Sequence, residues 1–150
     1  MKSNQLVVLT IDDKIYSIYL PAVERIVHAV EITPLPKAPP VILGIINYQG
    51  TIIPVINSRK LFLLPERETD IKDKLVIANT SRRTVALIAD SVLGIEEFTE
   101  DEMIKPDDIV PGISFIEGVI KRNDEIIMIY DLDSFLGLEE ENKLGEIIAN

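Results

Sequence analysis

Cysteine is absent from this 150-residue chain, so neither a disulfide framework nor a thiolate metal site can be built from it. Tryptophan is absent as well, and aromatic residues make up only 5% of the chain, which weakens any platform for stacking bases or sugars. Positive charge is scarce: 15 Lys and Arg stand against 25 Asp and Glu, for a net charge of −10. Phosphate binding needs clustered cations to displace counterions, so nucleic acid and anionic membrane surfaces are disfavoured partners. No apolar run approaches the roughly 20 residues of a membrane span. The opening Met1-Lys2-Ser3-Asn4-Gln5 also lacks the charged-then-apolar pattern of a secretory signal. A soluble, cytoplasmic protein with no direct membrane insertion is expected.

What is present is β-branched. Isoleucine and valine dominate the apolar fraction, and such residues favour strands. The length suits one domain over residues 1–150, large enough to bury a core without covalent staples. The expected fold class is all-β, meaning mainly β with short helices. Strands are expected at Leu6–Ile11 and Ile15–Leu20, and at Gly44–Ile56 as a hairpin. Further hairpins are expected over Lys74–Asn79 with Thr84–Ala89, and over Phe115–Lys121 with Ile126–Tyr130. Val92–Phe98 is a single strand between them. Val23–Val30 is ambiguous, because Val23, Ile26 and Val27 also share a helical face. Pro34, Pro36, Pro39 and Pro40 make a stiff loop, Arg59–Leu64 a short helical turn, and Pro65–Asp73 a charged surface connection. Met103–Gly112, with Pro106 and Pro111, reads as an irregular loop. Asp133 is a candidate N-cap for a short helix ending at Gly137, and residues 139–150 form an acidic tail that packs as a last helix or frays.

The runs Thr84-Val85-Ala86-Leu87-Ile88-Ala89 and Ile126-Ile127-Met128-Ile129-Tyr130 do not alternate with polar residues, so both faces of these strands should be covered. Two small barrels packed together accomplish this in a short chain, with one face of each strand filling its barrel and the other lining the interface; a partner protein is the alternative cover.

No chemistry-bearing constellation emerges. His28 is the only histidine and lacks ligand or triad companions. Asp131-Leu132-Asp133 fails as a calcium loop, because Phe135 and Leu136 stand where a ligand and the turn glycine belong. The acidic runs Glu96-Glu97, Glu100-Asp101-Glu102 and Glu139-Glu140-Glu141 read as solvated faces. No catalytic residue, cofactor site or metal site is therefore expected. The hairpin Gly44-Ile45-Ile46-Asn47-Tyr48-Gln49-Gly50 instead offers a rigid tip on which Asn47, Tyr48 and Gln49 are presented, with Gly50 supplying the positive φ of the turn and Gly44 freeing the backbone where the strand begins. Such a tip suits contact with another surface. A non-catalytic adaptor and a small-ligand-binding double barrel both fit this reading.

The segment from Gly44 through Asn47, Gln49-Gly50 and Pro54-Val55-Ile56-Asn57 resembles the signature of the CheW-type chemotaxis coupling family, where a Gly, an Asn, an Arg-Gly pair and a Pro-Val-x-Asp segment have these spacings. Leu6–Ile18 resembles the family's opening hairpin. Val23-Glu24-Arg25-Ile26 stands at its Val-x-Glu-Ile motif, and Val85–Ile95, containing Asp90-Ser91-Val92, resembles its second-half motif. The resemblance spans Leu6–Leu138. It implies two intertwined five-stranded SH3-like barrels and a scaffold that couples a chemoreceptor's cytoplasmic tip to the regulatory domain of a CheA-type histidine kinase. The partner-binding positions it implies are Val23, Arg25, Ile26, Asn47, Gln49, Gly50 and Asn57. Arg25 replaces the family's Glu, Gln49 its Arg and Asn57 its Asp, which implies altered partner specificity, because Gln cannot reproduce the planar charged fork of Arg.

Overall fold

The computed structural model describes residues 3–105 and 115–148. The part of the expected Met103–Gly112 loop that holds Pro106 and Pro111, and the end of the acidic tail, lie outside the described residues.

The element order is β1 (Ser3–Ile11), β2 (Lys14–Tyr19), β3 (Val23–His28), β4 (Ile42–Tyr48), β5 (Thr51–Ile56), α1 (Ser58–Leu61), β6 (Lys74–Asn79), β7 (Thr84–Ala89), β8 (Ser91–Thr99), β9 (Ile116–Arg122), β10 (Glu125–Tyr130) and α2 (Leu138–Ile147). The strands form two five-stranded sheets, ordered β3-β6-β7-β5-β4 and β8-β1-β2-β10-β9. The first is a central barrel made from one stretch of chain. The second, a terminal barrel, joins the first hairpin to the last three strands, so the two are intertwined. Both have the same plan, with a single parallel pair inside an otherwise antiparallel sheet: β5 with β7 in one, β2 with β10 in the other.

Closure is alike too. In the central barrel Thr33 and Ile45 exchange backbone hydrogen bonds of 2.8 and 2.9 Å, and in the terminal barrel Ile104 and Val119 do so at 2.8 and 2.9 Å. A glycine precedes the bridged residue on the far strand in each case. A Cβ on Gly44 would overlap the Thr33 carbonyl oxygen, and one on Gly118 would come within 2.6 Å of the Met103 side chain. Gly44 is thus required by close approach across the closure, not by freedom at a strand start.

The alternation of side chains sorts the core into three groups. Leu6, Val8, Phe98, Ile120, Ile127 and Ile129 fill the terminal barrel. Ile46, Ile53, Val55, Leu75, Ile77 and Ala86 fill the central one. The opposite faces, among them Val7, Leu9, Ile11, Val76, Val85, Leu87 and Tyr130, meet in a shared seam that Leu144 and Ile148 of the α2 segment complete. The two-faced burial expected for β7 is observed. For β10 it fails in part: Ile126 and Met128 are 60% and 38% exposed, because only the Tyr130 end of that face reaches the seam.

Local differences have local causes. Val23–Val30 is a strand as far as His28, because β6 provides it with a ladder. The helical turn is Ser58–Leu61, capped by Asn57 Oδ1, which accepts the Lys60 N–H at 3.2 Å. Asp133 is not a helix cap. Asp131 caps the turn Leu132–Ser134, while Asp133 Oδ1 accepts the Ser81 N–H at 2.7 Å, and Gly137 stands at the start of α2 instead of ending a helix. The acidic run at Glu139–Glu141 is not wholly a solvated face: Glu141 is buried and pairs with Arg83 Nε at 2.9 Å.

Candidate partner interface

The β4–β5 hairpin turns through Gln49 (φ +50°) and Gly50 (φ +84°), a two-residue type I′ geometry whose twist matches the strands it joins. Asn47 Oδ1 accepts the Gly50 N–H at 3.0 Å and so locks the loop. Asn47, Gln49 and Gly50 are exposed, while Tyr48 is half-buried against the central core. The tip is therefore a preorganised polar surface. Beside it lies an open groove lined by Leu35, Ile45, Thr51, Ile52, Ile147 and Ile148.

The remaining implied positions are dispersed. Val23 packs against the seam, whereas Arg25 and Ile26 are exposed on β3. Arg25 is paired in register with Ile77 of β6, at the other end of the strand order from the β4–β5 tip. Among the described residues no hydrogen bond or ion pair joins Arg25 to Gln49. Asn57 is only 8% exposed. Its Oδ1 caps α1 and its Nδ2 donates to Glu66 Oε1 at 2.8 Å, so both ends of its amide are engaged within the chain.

A polar cluster that sequence reading missed lies where the chain crosses between barrels. Asp90, between β7 and β8, accepts hydrogen bonds from the Asp12 N–H (2.8 Å), from Arg59 Nη2 (2.9 and 2.8 Å) and from Arg67 Nη2 (2.7 Å). Arg67 also bonds Asp73, which is 2% exposed, at 2.7 and 3.0 Å. Burial works against the Asp90 charge, but the Asp12 N–H and the two guanidinium groups outweigh it and hold the carboxyl below its usual range. The cluster fastens the β1–β2 turn, α1 and the 65–73 segment together, so that charged segment runs over the surface as expected but is anchored through Arg67 and Asp73. The available signal was Asp90 itself, placed in the second-half motif.

The chemistry of these groups is that of fastening and presentation. Among the described residues no group of His, Cys, Asp or Glu could hold a metal ion, and no helix is long and apolar enough to cross a membrane. A twin SH3-like barrel with a rigid polar tip and dispersed exposed apolar side chains defines an interaction module.

Comparison with known proteins assigns its family. The CheW-like domain model matches residues 5–142, and the chain belongs to that family. It is 27% identical over 149 residues to the chemotaxis protein CheW of Treponema pallidum, covering 95% of this chain and 88% of that one. Its structure resembles the scaffolding protein TtCheW of Thermoanaerobacter tengcongensis with a TM-score of 0.83 and 28% identity, covering 93% of this chain and 96% of that one. A more distant match, 26% identical over 99 residues, is to the chemotaxis protein CheA of Borreliella burgdorferi, covering 65% of this chain and 11% of that protein.

Proposed function

We propose that this chain is a non-catalytic cytoplasmic adaptor that couples the cytoplasmic tip of a chemoreceptor to the regulatory domain of a CheA-type histidine kinase. The observation that carries the reading is the locked, exposed Asn47–Gly50 tip on a family scaffold matched over nearly its whole length. A surface fixed before binding loses little entropy on docking, which suits a reversible signalling contact. The match to part of a CheA chain supports the kinase side of the pairing, since related double barrels can pack through related surfaces.

The substitutions at Arg25 and Gln49 support a redirected specificity within that role, whereas Asn57 is engaged within the chain. Arg25 puts a positive charge on β3, and Gln49 puts a neutral hydrogen-bonding group at the tip. The preferred partner then carries a carboxylate facing Arg25 and a neutral polar group facing Gln49. Calorimetric titration of the full chain with a receptor tip fragment and with a kinase regulatory domain, both from the same genome, tests the reading. Reversible binding to both is expected, and failure to bind either at tens of micromolar would overturn it.

A further inference from the structure

Between Leu64 and Asp73 the chain crosses over Leu43 and Ile88 of the central barrel with both of its ends fixed. Leu64 packs against the seam, and its N–H donates to the Arg59 carbonyl at 2.7 Å. Asp73 is 2% exposed, and its carbonyl accepts the Ala29 N–H at 3.0 Å. Residues 65–72, which lie between these ends, are all exposed. Among the described residues, their one backbone–backbone hydrogen bond runs from the Asp73 N–H to the Asp70 carbonyl at 2.9 Å, within their own last turn. The stretch therefore has neither a ladder nor a buried apolar side chain, the features that tie an element's opening to that of the whole fold.

What holds the stretch down is polar. Arg59 Nη1 donates to the Pro65 carbonyl at 3.0 Å, and Asn57 Nδ2 donates to Glu66 Oε1 at 2.8 Å. Arg67 makes the remaining bonds. Its Nη2 donates at 2.7 Å both to Asp73 Oδ1 and to Asp90 Oδ1, and its Nη1 donates to Asp73 Oδ2 at 3.0 Å. One guanidinium thus ties the middle of the stretch to its own root and to the link between β7 and β8. Beneath it lies a cavity of about 40 Å³, with Leu43, Asn57 and Ile88 in its floor and Glu66, Arg67 and Thr69 in its roof.

We propose that residues 65–72 are a strap clasped by Arg67, which opens as a unit while both barrels stay folded and uncovers Asn57 with the apolar floor beside it. The device goes beyond the coupling function, and its test needs neither a receptor nor a kinase. Opening breaks hydrogen bonds and ion pairs but gives up no apolar burial within the strap, so it costs less than unfolding either barrel. The guanidinium is 38% exposed and Asp90 29%, so water and salt compete for the clasp. Asn57 Oδ1 goes on capping α1 when the strap leaves, so Nδ2 alone is released and the helical turn is kept. Asn57 thereby has a covered and a presented state, and a partner that prefers the second shifts the balance by that preference.

The test is hydrogen exchange of the full chain, followed by NMR across a series of low denaturant concentrations. In the parent, the Asp70 and Asp73 amides, bonded at 2.8 and 2.9 Å, should exchange with a shallow denaturant slope, and those of β6 and β7 with the steep slope of global unfolding. The Asn57 side-chain amide should exchange in step with the strap. Arg67→Gln should speed these three groups about tenfold or more without denaturant, since it removes charge-assisted hydrogen bonds to two carboxylates. Arg67→Lys should speed them more than the parent and less than Arg67→Gln, because an ammonium keeps the charge but not the fork. Raising salt to about 1 M should speed strap exchange in the parent about threefold. A steep slope shared with β6 and β7 would overturn the proposal, as would an Asn57 amide that does not follow the strap or equal exchange in Arg67→Gln and parent. Should Arg67→Gln fail to fold, the slopes and salt response of the parent decide alone.

Discussion

Arg59 Nη2 lies 2.9 and 2.8 Å from the two carboxylate oxygens of Asp90, joining the first turn after β5 to the link between β7 and β8. Arg59 also approaches Asp12 of the terminal barrel at 3.5 Å and donates to the Pro65 carbonyl at 3.0 Å. One guanidinium thus reaches both barrels and the segment that follows α1.

Asp90→Asn should lower unfolding stability by about 2 kcal/mol, less than a fully buried ion pair because Asp90 keeps some contact with water. Its pH dependence has a definite sign. The folded carboxyl is held below its ordinary value, so its stabilisation is complete above the unfolded pKa of about 3.9 and disappears as pH falls through the lower folded value. Denaturant titrations between pH 6 and 3 should converge for parent and variant toward the acid end. A difference that widens there would contradict the assignment.

Gly44→Ala should cost more than Gly118→Ala. The first places a methyl against the Thr33 backbone carbonyl, which is held by the bridge to Ile45, and about 2–3 kcal/mol is expected. The second meets Cγ and Sδ of the flexible Met103 side chain and stays 3.3 Å from the Ile104 carbonyl oxygen, so about 1 kcal/mol is expected. Equal urea midpoints for the two variants would show that the closures do not differ in this way.

Arg83 and Glu141 fasten α2 to the central barrel, with side chains 10% and 9% exposed. Arg83 Nη1 has no hydrogen-bond partner, so the pair is incompletely satisfied. Glu141→Ala leaves a buried cation unpaired and should cost about 3 kcal/mol, whereas Arg83→Met with Glu141→Leu should regain most of that loss. Thermal unfolding of the two variants checks this; a double variant no better than the single one would show that the pair is a net stabiliser.

Arg25→Glu and Gln49→Arg, singly and together, address specificity. A charge-assisted hydrogen bond contributes roughly 1.5–3 kcal/mol, so the double variant should bind a receptor tip suited to the usual Glu and Arg about tenfold to a hundredfold more tightly than the parent. Each single variant should gain less. Because the two residues share no bond in the structure, any coupling between them has to pass through the partner, and a double-mutant cycle measures it. Equal affinities across all four chains would remove both residues from the specificity determinants.

Strand boundaries were widely legible because β-branched runs end at recognisable turns. Lys74–Asn79 and Thr84–Ala89 occupy their expected bounds, and Gln49-Gly50 turns as its residue types require. The twin-barrel plan was legible in part, since unalternating strands demanded two covers. Which strands pair was not: nothing local in Val7 says that its neighbour in the sheet is Ile95, and that pairing is what intertwines the barrels. The bare end of β10 escaped for the same reason, because Ile126 and Ile127 are chemically alike and only the register separates exposed from buried. At the site, the tip followed from turn chemistry. The engagement of Asn57 and the burial of Glu141 depend on distant partners, Glu66 by way of the folded-back loop and Arg83 across the seam.

The threading of the terminal barrel imposes an order on synthesis. β1 and β2 leave the ribosome first, yet their sheet neighbours β8 and β10 arrive only after the whole central barrel has emerged. Until then Leu6 and Val8 on one face and Val7, Leu9 and Ile11 on the other have no final cover. The opening hairpin must wait, with both faces apolar, on a central barrel that can already close upon itself. A chain arrested after β7 should therefore hold one finished barrel and one adhesive ribbon, the species that a nascent-chain chaperone would be needed to shield.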